Sequence, residues 1–229
     1  MYLGFFDLNA GFLIIIAAMI IGLIARSRVT GTYKRFSKVG TGRGISGSNV
    51  AREILDSYGL ANIDIREIGG QLSDHYDPRN NVLCLSQNVF RGNSIASVGI
   101  AAHEAGHAVQ DAMGYSPFRL RQKLVPVANI GSQMLFPLII GGLFFHITSL
   151  YYIGAALYAA ALLFQLVTLP VEFDASRRAV VYLQKSGNMT AGELQGVKKV
   201  LGAAAMTYVA AALASLGQMV WLLLAGRRR

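Results

Sequence analysis

Four long apolar stretches alternate with polar segments along this chain. They cover residues 8–25, 124–147, 150–171 and 200–225. Each is close to the roughly 20 apolar residues that a helix needs to cross the hydrocarbon core of a bilayer. The pattern therefore predicts a mainly α membrane protein with about four transmembrane helices.

The second and third stretches are expected to form a transmembrane hairpin over residues 124–171, because only a short polar link separates them. Pro126 and Pro137 interrupt the second stretch, which is tolerated where neighbouring helices satisfy the freed backbone groups. The fourth stretch is rich in Ala and Gly, which suits close helix packing in lipid. It is expected to span once, although a helical hairpin or a partly re-entrant segment also fits its length.

The first stretch is expected to be a retained N-terminal anchor, residues 1–25. Asp7 precedes it, basic residues follow it, and no cleavage site made of small residues is present. A cleavable signal peptide has the opposite charge order.

The polar segment 26–123 has the pattern of a small α/β domain. Residues 63–68 alternate between apolar and polar positions, as in a strand. Residues 71–76 and 81–86 flank a turn-rich tetrad, which predicts a β-hairpin.

Two helices are predicted in the same segment. One covers residues 49–58 with Ser48 as its N-terminal cap. The other follows Ser94, a second capping residue, and ends before Gly114. The longer helix is otherwise apolar and small, which predicts that it is buried.

Composition agrees with a membrane protein. Hydrophobic residues make up 53% of the 229 residues and charged residues 14%, whereas charge is about a quarter of a soluble domain. The net charge of +9 comes largely from cations beside apolar stretches. By the positive-inside rule, segments 26–123 and 172–199 face the cytoplasm. The basic tail 227–229 opposes this topology, because four spans place it outside.

Several functional classes are excluded. No nucleic-acid-binding module and no aromatic-basic repeat is present, so no nucleic-acid partner is expected. The chain has no phosphate-binding loop of the G-x-x-x-x-G-K-[ST] form, which argues against an ATP-driven machine. The single cysteine, Cys84, excludes an intrachain disulfide and a cysteine zinc cluster.

The predicted long helix contains His103-Glu104-Ala105-Gly106-His107, an H-E-x-x-H motif. Two histidines four residues apart lie on one helical face, so both imidazoles can bind one Zn²⁺. Glu104 is then expected to be the general base that removes a proton from the attacking water. Burying two His and a Glu on a helix costs free energy unless these side chains have partners, and a metal ion would be such a partner.

A catalytic zinc usually has three protein ligands and one open position. Candidates for the third ligand are Asp111, Glu172, Asp174, His75 and His146. Glu172 is the best placed, because a carboxylate at the end of the third span is costly without a partner. Asp111 is too far along a straight helix, and His146 is expected at the opposite end of a span.

Together these motifs resemble the YugP-like zinc metallopeptidases of bacterial membranes. The residues concerned are Ala102–Ala108, Val171–Ala179 after an apolar hairpin, and Asp74–Pro78 before a short strand. The resemblance covers essentially the whole chain. The layout is also similar to the broader HtpX and CAAX-prenyl-protease group.

The resemblance implies that Glu172 is the third zinc ligand. The broader group has Asp where this chain has Ser176, so Asp174 or Asp111 is expected to orient a ligand histidine instead. It also implies that an edge strand pairs with an extended substrate, and residues 81–86 are the candidate strand.

The expected function is a one-zinc, multi-pass endopeptidase of the bacterial plasma membrane, active on protein or peptide substrates at the cytoplasmic face. His75 and Tyr76 are expected to help stabilise the oxyanion, with Arg178 as another donor. Two alternatives stay open: a non-catalytic membrane protein braced by zinc, and a zinc hydrolase of a lipid-like amide. The sequence predicts no oligomeric state.

Overall fold

The computed structural model describes residues 3–226, and it describes their side chains except at residues 3–12, 15, 143, 148, 151 and 224–226. The predicted basic tail 227–229 lies outside the described residues. Within them the chain forms seven helices and three strands: α1 Leu3–Phe36, α2 Gly47–Ser57, β1 Asp64–Ile68, β2 His75–Asp77, β3 Val82–Ser86, α3 Gln87–Phe90, α4 Ile95–Ala112, α5 Ser116–Phe144, α6 Thr148–Lys185 and α7 Ala191–Gly226.

The described chain divides into two compact units. One consists of Ser27–Phe118 and Pro170–Met206, and it contains the sheet and the H-E-x-x-H motif. The other draws on the described parts of Met1–Arg26, Arg119–Leu169 and Thr207–Arg229. Each of the four long helices, α1, α5, α6 and α7, therefore contributes a portion to both units.

Three helices within the described residues are long and apolar enough to cross a membrane. They cover Ser116–Gly142, Tyr152–Lys185 and Ala191–Leu223. Large apolar side chains on them are exposed, including Phe136 and Leu223, as expected of surfaces that face lipid. The protein is thus mainly helical with membrane-type helices. The first predicted span lies partly outside the described side chains, so a count of four spans stays a prediction.

The long helices differ from the predicted stretches at their ends. The fourth apolar stretch lies within α7, which is one continuous helix rather than a helical hairpin. The third stretch lies within α6, which continues past Pro170 to Lys185. Glu172 was expected at a helix end, and it lies instead in the interior of α6.

The three strands form one sheet in the order β1-β3-β2. β1 is parallel to β3, and β2 is antiparallel to it. The predicted strand at residues 63–68 and the predicted hairpin are therefore present, but the first arm of the hairpin was predicted at 71–76 and the strand begins only at His75. The expectation that residues 81–86 form a substrate-pairing edge strand is wrong, because β3 is paired on both sides.

Both predicted helices begin at a serine N-cap, but the serine that caps α2 is not the one predicted. Ser46 caps α2, because its hydroxyl accepts a hydrogen bond from the backbone N–H of Asn49. The prediction of Ser48 was therefore wrong by two residues. Ser94 caps α4 as predicted, and Gly114 follows that helix with a positive φ of 66°, a conformation in which a side chain would be strained.

The core of the unit with the sheet is built around α4. Its buried positions are mostly Ala, Gly and Val, so neighbouring elements pack closely against it. Larger side chains from the rest of this unit complete the core: Val50, Leu55, Leu83, Leu85, Phe118, Val171, Leu183 and Val197. Each fully buried Leu, Val or Phe stabilises the fold by about 1.5–3 kcal/mol.

Candidate metal centre

α4 presents His103 and His107 on one face. The two residues are four apart, so they lie on successive turns of the same helix. Their ring centroids are 4.7 Å apart with an edge-to-face orientation. His107 is buried and His103 is half-buried. The pair is therefore placed to bind one ion from one side.

Glu172 approaches this pair from α6. Its side chain is buried, and its two oxygens face different histidines. Glu172 Oε2 lies 3.2 Å from His103 Nε2, and Glu172 Oε1 lies 3.7 Å from His107 Nε2. Gly106 lies between the two histidines on α4. Because it has no side chain to meet the backbone of Ala175, α6 can approach α4 this closely.

These three residues fit a zinc ion. One ligand atom from each lies within 4.8 Å of the other two. Tetrahedral Zn²⁺ with ligand distances of about 2.0–2.1 Å separates its ligand atoms by about 3.3 Å, close to the spacings between Glu172 and the histidines. Two imidazole nitrogens and a carboxylate also form a donor set that zinc prefers. Among the described residues no other candidate ligand joins this group.

Each histidine has a hydrogen-bond partner on its other ring nitrogen. His103 Nδ1 lies 3.1 Å from Ser176 Oγ, and His107 Nδ1 lies 3.0 Å from Gln110 Oε1. An Nδ1–H that donates to these oxygens leaves the Nε2 lone pair of each ring free to bind metal. Ser176 therefore contacts a ligand histidine itself.

Gln110 connects His107 to α6. It is fully buried, and its amide nitrogen donates to Val171 O at 2.8 Å and to Asp174 Oδ2 at 3.0 Å. Asp174 also accepts from Arg177 and Arg178. Asp174 was expected to orient a histidine, and it is connected to His107 through Gln110. The sequence did contain a signal, since Gln110 is three residues after His107 on the same helical face.

Asp111 and Tyr76 form a separate contact. The Tyr76 hydroxyl donates to Asp111 Oδ2 at 3.1 Å. Asp111 was expected to orient a histidine, but the hydrogen-bond partners of His103 and His107 are Ser176 and Gln110. Burial and the neighbouring Asp111 carboxylate raise the pKa of Tyr76. The Tyr76 ring packs against Phe118, whose centroid lies 6.0 Å from that of His107.

His75 and Glu104 differ in their surroundings. His75 is exposed, and its Nδ1 lies 2.8 Å from Ser73 O. Because side chains alternate along a strand, His75 and Tyr76 point to opposite faces of β2. Glu104 is half-buried and directly follows His103 on α4.

Membrane-type helices together with a His-His-Glu group that could hold a metal ion are the features expected of a membrane metalloprotein. The chain belongs to the family described as "Putative neutral zinc metallopeptidase", whose model matches residues 11–227. It is 42% identical over 205 residues to "Putative membrane protease YugP" of Bacillus subtilis (strain 168), with 90% of this chain and 91% of that protein covered. No solved structure matches the chain significantly. The resemblance seen in the motifs is confirmed.

Proposed function

We propose that this protein is a membrane-embedded, one-zinc endopeptidase. The observation that carries the proposal is the grouping of His103, His107 and Glu172, whose candidate ligand atoms lie within 4.8 Å of one another. Three protein ligands leave a fourth position for water or substrate, which is typical of catalytic rather than structural zinc.

Glu104 is proposed as the general base and general acid. When bound, zinc polarises the scissile carbonyl and lowers the pKa of water towards neutrality. Glu104 takes a proton from the attacking water as the oxygen adds to the carbonyl carbon. It then gives that proton to the leaving nitrogen as the C–N bond breaks, so the products are a carboxylic acid and an amine.

Substrate pairing is proposed at β2. Among the described strands, β2 pairs with β3 alone and so has one open edge, and it also contacts α4. An extended peptide that adds to this edge gains backbone hydrogen bonds independently of its sequence. His75 and Tyr76 belong to this strand, and Arg178 is the further candidate donor to the oxyanion. The geometry favours Tyr76 over His75, since its side chain lies on the buried face.

The active site is proposed to face the cytoplasm of a bacterial cell. The basic residues between the first two apolar stretches support this orientation. The test is a Lys38→Cys variant in a Cys84→Ser background, treated with a membrane-impermeant maleimide. Labelling only in inverted vesicles is expected, and labelling in intact spheroplasts contradicts the orientation.

The function is tested by comparing zinc content and casein cleavage in the wild type and in Glu104→Gln, both purified in detergent. Loss of a general acid-base group is expected to slow cleavage about 10²–10⁴-fold, while zinc is retained. Glu67→Gln is the matched control, because Glu67 is an exposed carboxylate that binds Arg91. Cleavage by Glu104→Gln at the wild-type rate would contradict the proposal. Zinc without cleavage in the wild type would favour the zinc-braced alternative.

A further inference from the structure

A basic groove lies between the C-terminal part of α1 and the N-terminal part of α7. Its volume is about 650 Å³, and four cationic side chains line it: Arg28, Arg35, Lys198 and Lys199. No acidic side chain contributes to the described lining. Such a groove concentrates positive potential and attracts an anion.

These four cations are exposed, and none forms an ion pair with a carboxylate of the described chain. Arg28 and Arg35 are seven residues apart on α1, so they lie on the same helical face two turns apart. Lys198 and Lys199 face them from α7. Like charges that line one groove repel one another, and a bound anion would relieve that repulsion.

Two glycines leave open space along the groove. Gly31 of α1 and Gly202 of α7 both line it, and a Cβ atom at either position would meet nothing within 4 Å. The hydroxyl-bearing residues Ser27 and Thr32 also line it. The groove therefore combines open space, hydrogen-bonding groups and cations, which together suit a phosphate group.

The groove occurs where both helices change from polar to apolar sequence. The apolar residues 8–25 end just before it on α1, and the apolar residues 200–225 begin within it on α7. Large apolar side chains beyond it are exposed, such as Leu23 at 60% and Leu213 at 52%, so lipid is their expected surroundings. Cations at such a boundary are expected at the depth of lipid headgroups.

We propose that this groove binds the phosphate of an anionic phospholipid headgroup. The proposal is independent of zinc and of peptidase activity. It goes beyond positive-inside topology, because it assigns lipid binding to one groove lined by four cations and two glycines rather than to the basic segments as a whole.

The test is native mass spectrometry of the full chain in detergent, titrated with dioleoyl phosphatidylglycerol or with dioleoyl phosphatidylcholine. Phosphatidylglycerol is expected to bind at least tenfold more tightly. The Lys198→Gln/Lys199→Gln variant is expected to weaken phosphatidylglycerol binding about 30-fold, from about 1 kcal/mol per lysine. Gly202→Leu adds a side chain to the lining of the groove without changing charge, and it is expected to weaken binding as well. Thermal unfolding and circular dichroism verify that each variant folds.

The matched control is Lys34→Gln/Lys38→Gln, which removes the same charge at two exposed positions that do not line this groove. Near-wild-type binding by the control supports a defined site. Equal weakening in both double variants would show diffuse attraction and overturn the proposal, as would equal affinity for the two lipids. Displacement of phosphatidylglycerol by millimolar inorganic phosphate would assign the groove to free phosphate and overturn the lipid assignment.

Discussion

A Cβ atom built on Gly106 would lie 2.9 Å from the backbone oxygen of Ala175. That distance is shorter than side-chain carbons tolerate, so the backbones of α4 and α6 can approach this closely only because position 106 is glycine. Gly106 lies between the two histidines, and Ala175 is three residues beyond Glu172. The same crossing therefore brings the two parts of the proposed zinc site together.

Gly106→Ala is expected to destabilise the protein and reduce zinc binding. Overpacking of a helix contact costs about 1–3 kcal/mol, and separation of the helices moves Glu172 away from His103 and His107. The measurement is zinc per chain by mass spectrometry, together with the free energy of unfolding in detergent.

Gly192→Ala is the matched control for this substitution. Gly192 lies in α7, and a Cβ there would meet nothing within 4 Å. Ala favours a helix over Gly by up to about 1 kcal/mol, so this variant is expected to be as stable as the wild type or more stable. Zinc content at the wild-type level in Gly106→Ala would show that the crossing is not needed for the site.

Ser176 is expected to tune zinc affinity through His103. Removal of its hydroxyl in Ser176→Ala leaves the His103 ring without the partner 3.1 Å away, and loss of such a partner lowers metal affinity about 10–100-fold. Ser176→Asp supplies a charged acceptor and is expected to retain wild-type affinity or exceed it. Competition with a zinc chelator measures both.

Ser57→Ala serves as the comparison, since it also removes a serine hydroxyl, one that donates to the Ile54 carbonyl and does not belong to the candidate metal centre. The role assigned to Ser176 fails if Ser176→Ala binds zinc as tightly as Ser57→Ala does.

The raised pKa of Tyr76 predicts that the stability of the protein depends on pH in alkaline solution. Its pKa is raised in the folded protein by burial and by the Asp111 carboxylate, whereas an unfolded tyrosine titrates near pH 10. Below pH 10 the hydroxyl is protonated in both states, so its contribution is fully present. Above pH 10 the unfolded state loses the proton first, so the free energy of unfolding falls as pH rises.

Tyr76→Phe is expected to show a shallower fall above pH 10, because the titrating group is absent. Chemical unfolding at a series of pH values from 8 to 11 measures the slope. Identical slopes for the two proteins would mean that Tyr76 titrates alike in the folded and unfolded states.

The local elements were predictable because their signals are local. The Ser94 cap, the strand at β1 and the hairpin of β2 and β3 each follow from residues adjacent in sequence. The pairing order β1-β3-β2 was not predictable in this way, because it depends on contacts between distant residues. The edge strand was therefore assigned to the wrong segment.

The three residues of the proposed zinc site were easier to predict than the residues that form hydrogen bonds with them. His103 and His107 follow from spacing, and Glu172 follows from the cost of burying a carboxylate. Gln110 was not predicted, because an uncharged amide is less costly to bury than a carboxylate and so did not point to a partner. It nevertheless contacts both His107 and α6. The role of Ser176 was missed because a hydroxyl was not considered as a replacement for a carboxylate.

The proposed zinc site is tested most directly by counting zinc atoms per chain in the wild type, Glu172→Ala and Glu67→Ala after purification in zinc-containing buffer. One zinc is predicted for the wild type and for Glu67→Ala, and close to none for folded Glu172→Ala. Glu172→Gln keeps the shape of the side chain and is predicted to lose most of the zinc if Glu172→Ala fails to fold. One full zinc in the Glu172 variants, or none in the wild type, would contradict the three-residue site.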